Sequence, residues 1–176
     1  MSSRQEKTFA LQSPADFFAK LQWEFARLKG TDPQTHPDFI YQSITCANDA
    51  WHMADWVYHS LPELKRREFP REKHYRQFVQ NDSPALAICR EIADASKHSR
   101  IDANPNPSIE TRFVRTREPS TGSESIWWFV VTSGHLRDIR QVIDSAVMYW
   151  CRTLDTYGLS RETPFEDIYA YHRSVL

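Results

Sequence analysis

The chain has 176 residues, enough to bury a sizeable core in one domain, and 22 Lys and Arg against 23 Asp and Glu leave a net charge of −1. That balance removes the broad positive footprint of a general nucleic-acid binder and leaves room only for a local basic patch. Three cysteines without a C-x-x-C pair argue against a disulfide framework or zinc knuckle, and four glycines supply no P-loop or G-x-G-x-x-G for a nucleotide or flavin.

No stretch approaches the roughly 20 apolar residues of a membrane span. The opening MSSRQEKTFALQSP lacks the apolar core of a secretory signal. The expectation is a single cytoplasmic domain over residues 1–176 with reduced thiols and no membrane contact.

In chain order, Ser13-Pro14-Ala15-Asp16 marks a helix start, with serine as cap, proline at the first helical position and an acid in the first turn. Phe18, Leu21, Phe25 and Leu28 recur at helical spacing, and Gly30 is expected to close the helix in the left-handed conformation. Next comes Asp38 to Leu61, DFIYQSITCANDAWHMADWVYHSL. It is apolar around most of its circumference and has no Lys, Arg or Glu from Tyr41 to Pro62. A helix of that kind sits at the centre of a bundle. Its narrow polar seam is Thr45, Asn48, His52, Asp55 and His59, with Asp49 on the shoulder.

Residues 63–80 are the most basic part of the chain and are expected to form a solvated connector. Pro70 starts a short helix there, and Phe69, Tyr75 and Phe78 tack it to the bundle. Ser83-Pro84 caps the next helix, 84–98, which buries Ala85, Ile88, Cys89, Ile92 and Ala95. The period then changes from 3.6 to 2. Ile109 to Arg117 alternates, Ile126 to Thr132 is β-branched and aromatic, and the EPSTGSES between them makes a hairpin loop. Ser133-Gly134 turns the chain into a long helix over about 136–157, with Leu136, Ile139, Ile143, Ala146, Val147, Trp150 and Leu154 buried and Gly158 as its stop. Thr163-Pro164-Phe165-Glu166 predicts a short C-terminal helix over about 164–173. The sum is a mainly α fold: an antiparallel bundle of four principal helices with a β-hairpin, about 109–132, inserted before the last long one.

Two sets of residues carry candidate chemistry. His52, Asp55 and His59 share one face of the central helix, and Arg90, Asp94 and His98 share one face of the next long one. Packed together, His52, Asp55, His59 and His98 offer nitrogen and oxygen ligands for a divalent metal. Alternatively, Arg90 holds a phosphate while His52, Asp55, Asp94 and His98 supply acid–base groups. The expected geometry has His52 and Asp55 partly buried, facing Asp94 or His98.

The phrases AWHMADWVYH and ALAICREIADASKH resemble those of small uncharacterised bacterial helical proteins. In these, an A-x-H-x-x-D-W helix precedes a C-x-x-x-A-x-x-x-K-H helix, and a hairpin and a helix with a Y-W or F-W pair follow. The resemblance covers about residues 36–155. Their architecture is similar to HEPN domains, bundles that include RNA-cleaving proteins with an Arg, four to six residues, His motif. Here Arg90 and His98 have seven residues between them, and Arg67 and His74 have six but enclose Pro70.

Two functions follow. One is a binding or assembly module that meets itself or a protein partner through the hairpin, where adjacent Trp127 and Trp128 point to opposite faces. The other is a HEPN-like ribonuclease, with RNA as partner, or a small metal-dependent hydrolase.

Overall fold

A computed structural model describes residues 11–35, 37–97 and 105–160. Among them the order is α1 (Pro14–Gly30), α2 (Asp38–Ser60), α3 (Glu63–Arg66), α4 (Glu72–Asp82), α5 (Pro84–Lys97), β1 (Ile109–Arg117), β2 (Glu124–Thr132), β3 (His135–Asp138) and α6 (Ile139–Thr156). The four principal helices are α1, α2, α5 and α6, and the sheet is inserted before the last of them.

Local chemistry sets the helix ends. Ser13 Oγ accepts from the Asp16 amide at 3.2 Å, and the Asp16 carboxylate accepts from the Ser13 amide at 2.9 Å, a reciprocal cap for α1. Ser83 Oγ accepts from the Leu86 amide in the same way at α5. Pro62 follows α2, and its predecessor Leu61 is already extended, at ψ 140°. Gly158 (φ 63°) ends α6 in the left-handed region as expected, but Gly30 does not do so for α1. There the chain leaves through Thr31, whose φ is −82° and whose side chain donates to the Arg27 carbonyl.

The buried side chains form one cluster with α2 at its centre. This helix touches α1, α4, α5 and α6 and contributes ten buried residues, more than any other described element. Trp51 and Ala54 are both in the core. Trp150 of α6 is fully buried, and its indole N–H donates to the Ala50 carbonyl at 2.8 Å, which locks α6 against α2. Phe69 and Tyr75 anchor the connector as expected, whereas Phe78 is 39% exposed.

The hairpin pairs β1 with β2 from Ile109–Thr132 to Arg117–Glu124 without a bulge. It also continues into a third strand that the sequence reading assigned to the helix. Ser133 (φ 48°) and Gly134 (φ 80°) form a two-residue turn with both residues at positive φ, the turn that joins tight hairpins. His135 to Asp138 then pair with β2. Leu136 is therefore not on the buried face of α6 but on β3, 55% exposed, and the helix begins at Ile139 behind an Asp138 cap. The segment expected as a C-terminal helix, 164–173, lies outside the described residues, as does His98.

Candidate functional site

The seam of α2 is a row of separate pairings with its neighbours. Asn48 Oδ1 accepts from Ser96 Oγ of α5 at 3.4 Å. Asp49, on the shoulder and buried, pairs with Lys20 of α1. Burial raises the Asp49 carboxyl pKa, and the ammonium pulls it back only in part. His52, expected to be half-buried, is exposed.

One turn further on, the charged side chains converge. Asp55 accepts from Arg76 Nε at 2.6 Å, Arg76 also pairs with Glu72 at 2.7 Å, and His59 Nε2 lies 3.0 Å from the other Glu72 oxygen. Burial raises the Asp55 carboxyl pKa, Arg76 opposes this, and the Glu72 carboxylate adds to it. Of the expected partners, Asp94 gives way at Asp55 to Arg76 of α4, and His98 lies outside the described residues. Asp94 contributes to this group only through its field on Arg76.

The face of α5 is likewise engaged within itself. Arg90 lies 3.2 Å from both Glu91 and Asp94, and Glu91 is buried. Arg67 and His74 stand on different elements, after α3 and within α4, so they do not line one helix as a HEPN pair would. Among the described residues no group of three or more His, Cys, Asp or Glu is placed to hold a metal ion. Of the expected metal ligands, Asp55 pairs with Arg76, His59 lies beside Glu72 and His52 is exposed, while His98 lies outside the described residues. What the group does chemically is tie α2 to α4 through alternating charges.

The cysteines are free thiols, with Cys46 and Cys89 buried and Cys151 partly so. Burial pushes the Cys46 thiol up to about 12, with Glu24 and Asp49 adding, so it is not a nucleophile near neutral pH.

One contact escaped the sequence reading. Gln34, in the α1–α2 loop, clamps the sheet. Its side-chain amide donates to the Ile126 carbonyl at 2.7 Å and its carbonyl accepts from the Ile126 amide at 2.6 Å. No sequence signal links positions 92 residues apart. The exposure expected of the hairpin runs along nearly the whole length of β1. Three arginines and a glutamate in nine residues were a legible sign of that.

No protein-family model, curated protein or solved structure matches this chain. The class defined by the fold is a mainly helical protein with a three-stranded antiparallel sheet set before its last long helix. No described helix is long and apolar enough to cross a membrane.

Proposed function

We propose that the protein is an assembly module that docks through the free edge of its sheet, with a second copy of the chain as its partner. The observation that carries this is the state of β1. The strand order is β1-β2-β3, so among the described residues β1 is bonded on one side only. The other edge of β2 is covered by β3 from Phe129 to Thr132 and by Gln34 at Ile126. Because Ile126 turns its amide and carbonyl to Gln34, away from β1, its pairing with Arg115 is of the non-hydrogen-bonded kind. Alternation then aims the backbone groups of Thr111, Phe113 and Arg115 at the open edge. The ladder bonds flanking the hairpin, Ser133 to Ser108 and Glu118 to Ser123, fit the same phase.

Edges of this length are ordinarily blunted by proline, lysine or a bulge. β1 has no proline, lysine or bulge; its charges are three arginines and one glutamate, and Phe113, Val114 and Trp127 stand exposed on or beside it. Over Ile109–Phe113 its sequence is also self-complementary. In the antiparallel register that sets Thr111 across from the partner's Thr111, Glu110 faces the partner's Arg112 and Ile109 faces the partner's Phe113.

Sedimentation velocity over a range of concentrations tests this. The wild type is expected to dimerise. Phe113→Pro removes one outward N–H without touching the ladder to β2, so it should be monomeric at every concentration with an unchanged helical melt. Phe113→Ala, which keeps the N–H, should still dimerise. A monomeric wild type, or a Phe113→Pro protein that dimerises normally, overturns the proposal.

A further inference from the structure

The sheet does not lie flat on the bundle. It packs on α6, while between it and the helices α2 and α5 a cavity of about 270 Å³ remains. Phe39, Ile40 and Ile44 of α2 form its floor, Ile92 of α5 one wall, Ile139 another, and Trp128 belongs to the roof. All twelve lining residues are uncharged in a chain of which 26% is Asp, Glu, Lys or Arg. The polar side chains among them are Ser43, Ser96 and Thr111. Ser43 donates its hydroxyl to the Phe39 carbonyl, and Ser96 is within donating distance of both the Ala93 carbonyl and Asn48 Oδ1, which leaves both hydroxyl oxygens as acceptors.

Apolar interiors normally close to crystal-like density, because an empty space forfeits contacts on every wall. Here the roof is pinned at both ends. The Gln34 amide grips Ile126 at one end. At the other, β3 runs directly into α6, with the Asp138 carboxylate accepting from the Arg140 amide at 2.8 Å and Ile139 buried. The space is therefore built into the frame and does not depend on a movable lid.

We infer that this cavity is a binding site for a small, neutral, aromatic or alicyclic molecule. Size and charge identify the occupant. A cavity of roughly 150 Å³ lined by Leu, Ile and Phe takes up benzene, so one of about 270 Å³ suits a bicyclic ring system. A helix, about 10 Å across with its side chains, is too wide to enter. A charged ligand would lose its hydration without gaining a counter-charge from the lining. A single hydroxyl on the ring finds its acceptor in Ser43 or Ser96. The site is separate from the β1 edge, whose groups point sideways out of the sheet rather than beneath it.

Isothermal calorimetry with 1-naphthol and with naphthalene-1-sulfonate as probes tests the inference on the full chain. 1-Naphthol should bind at one site per chain with sub-millimolar affinity, and the sulfonate about tenfold or more weaker. Ala95 lies exposed at the rim of the cavity, so Ala95→Phe plugs the mouth without disturbing the core. It should weaken 1-naphthol about tenfold or more at an unchanged melting temperature. A methyl-resolved NMR titration of the wild type keeps the test independent of that variant. Shifts should concentrate on Ile40, Ile44, Ile92 and Ile139. Absence of saturable binding, equal affinity for the sulfonate, equal binding by Ala95→Phe, or shifts spread over other methyl groups would each overturn it.

Discussion

Helix α2 and strand β2 are both rich in large aromatic residues, each with two tryptophans, yet they end in opposite circumstances. Trp51 and Trp56 of α2 are buried among helices on several sides. β2 buries one residue fully, Val130, and leaves Trp127 41% exposed. Apolar content thus says that a segment seeks a partner, while the topology decides whether this chain supplies it. Four neighbouring helices supply it for α2. For the sheet, one helix, one glutamine and a nine-residue strand do so in part, and the remainder is an open edge and a cavity.

The comparison breaks most readily at the centre of α2. Ala54 is fully buried, and Ala54→Arg inserts both volume and an unpaired charge, at a cost of about 4 kcal/mol or more. Urea denaturation should show a protein at or beyond the limit of folding. A normal midpoint would mean that α2 is not the enclosed element.

A smaller effect is expected where the two regions join. Asp138 caps α6 and pairs with Arg140 at 2.7 Å, so Asp138→Ala should cost about 1–2 kcal/mol at neutral pH. Burial works to raise this carboxyl pKa, but the side-chain and backbone hydrogen bonds from Arg140 outweigh it and hold it below the ordinary value. The native state therefore binds this proton less readily than the unfolded chain. The stabilisation is complete above the unfolded pKa of about 3.9 and is lost as pH falls through the lower, folded one. The gap between wild type and variant should persist to about pH 4 and close below it. A gap that closes near neutrality would assign it to another group.

The smallest expected effect sharpens the contrast. Gln34→Ala removes two hydrogen bonds at an exposed site, worth about 1 kcal/mol or less in global stability. Amide exchange at Ile126 should quicken while that of the α2 core stays slow. Uniform acceleration of both would mean that sheet and bundle open as one unit.

Much of this architecture was legible in the residues. The absence of Lys, Arg and Glu between Tyr41 and Pro62 announced the central helix, and the change of period after His98 announced the hairpin. β3 was missed because Leu136, Ile139 and Ile143 also satisfy a helical spacing. A four-residue strand offers too few alternations to outweigh that, although Ser-Gly was the better clue to a tight hairpin. Around the seam, sequence identified the polar residues of α2 but not their partners. Arg76 was read as one more charge on a solvated connector, and nothing local ties it to Asp55, 21 positions earlier. Lys20 and Asp49, 29 apart, were hidden for the same reason. Periodicity reports which face of an element seeks burial; pairing across elements depends on how they pack.

The bond from the Trp150 indole to the Ala50 carbonyl also orders events in time. Its two ends are separated by 100 residues, so during synthesis α2 emerges long before the helix that completes its cover. At roughly 5–20 residues per second, that interval is on the order of 5–20 s. Throughout it, the most apolar helix of the molecule holds an uncovered flank on a nascent chain. α1, already made, and then α4 and α5 sheathe part of it, but the flank destined for Trp150 has no occupant until α6 is made. This is the window in which the growing polypeptide has most need of a chaperone.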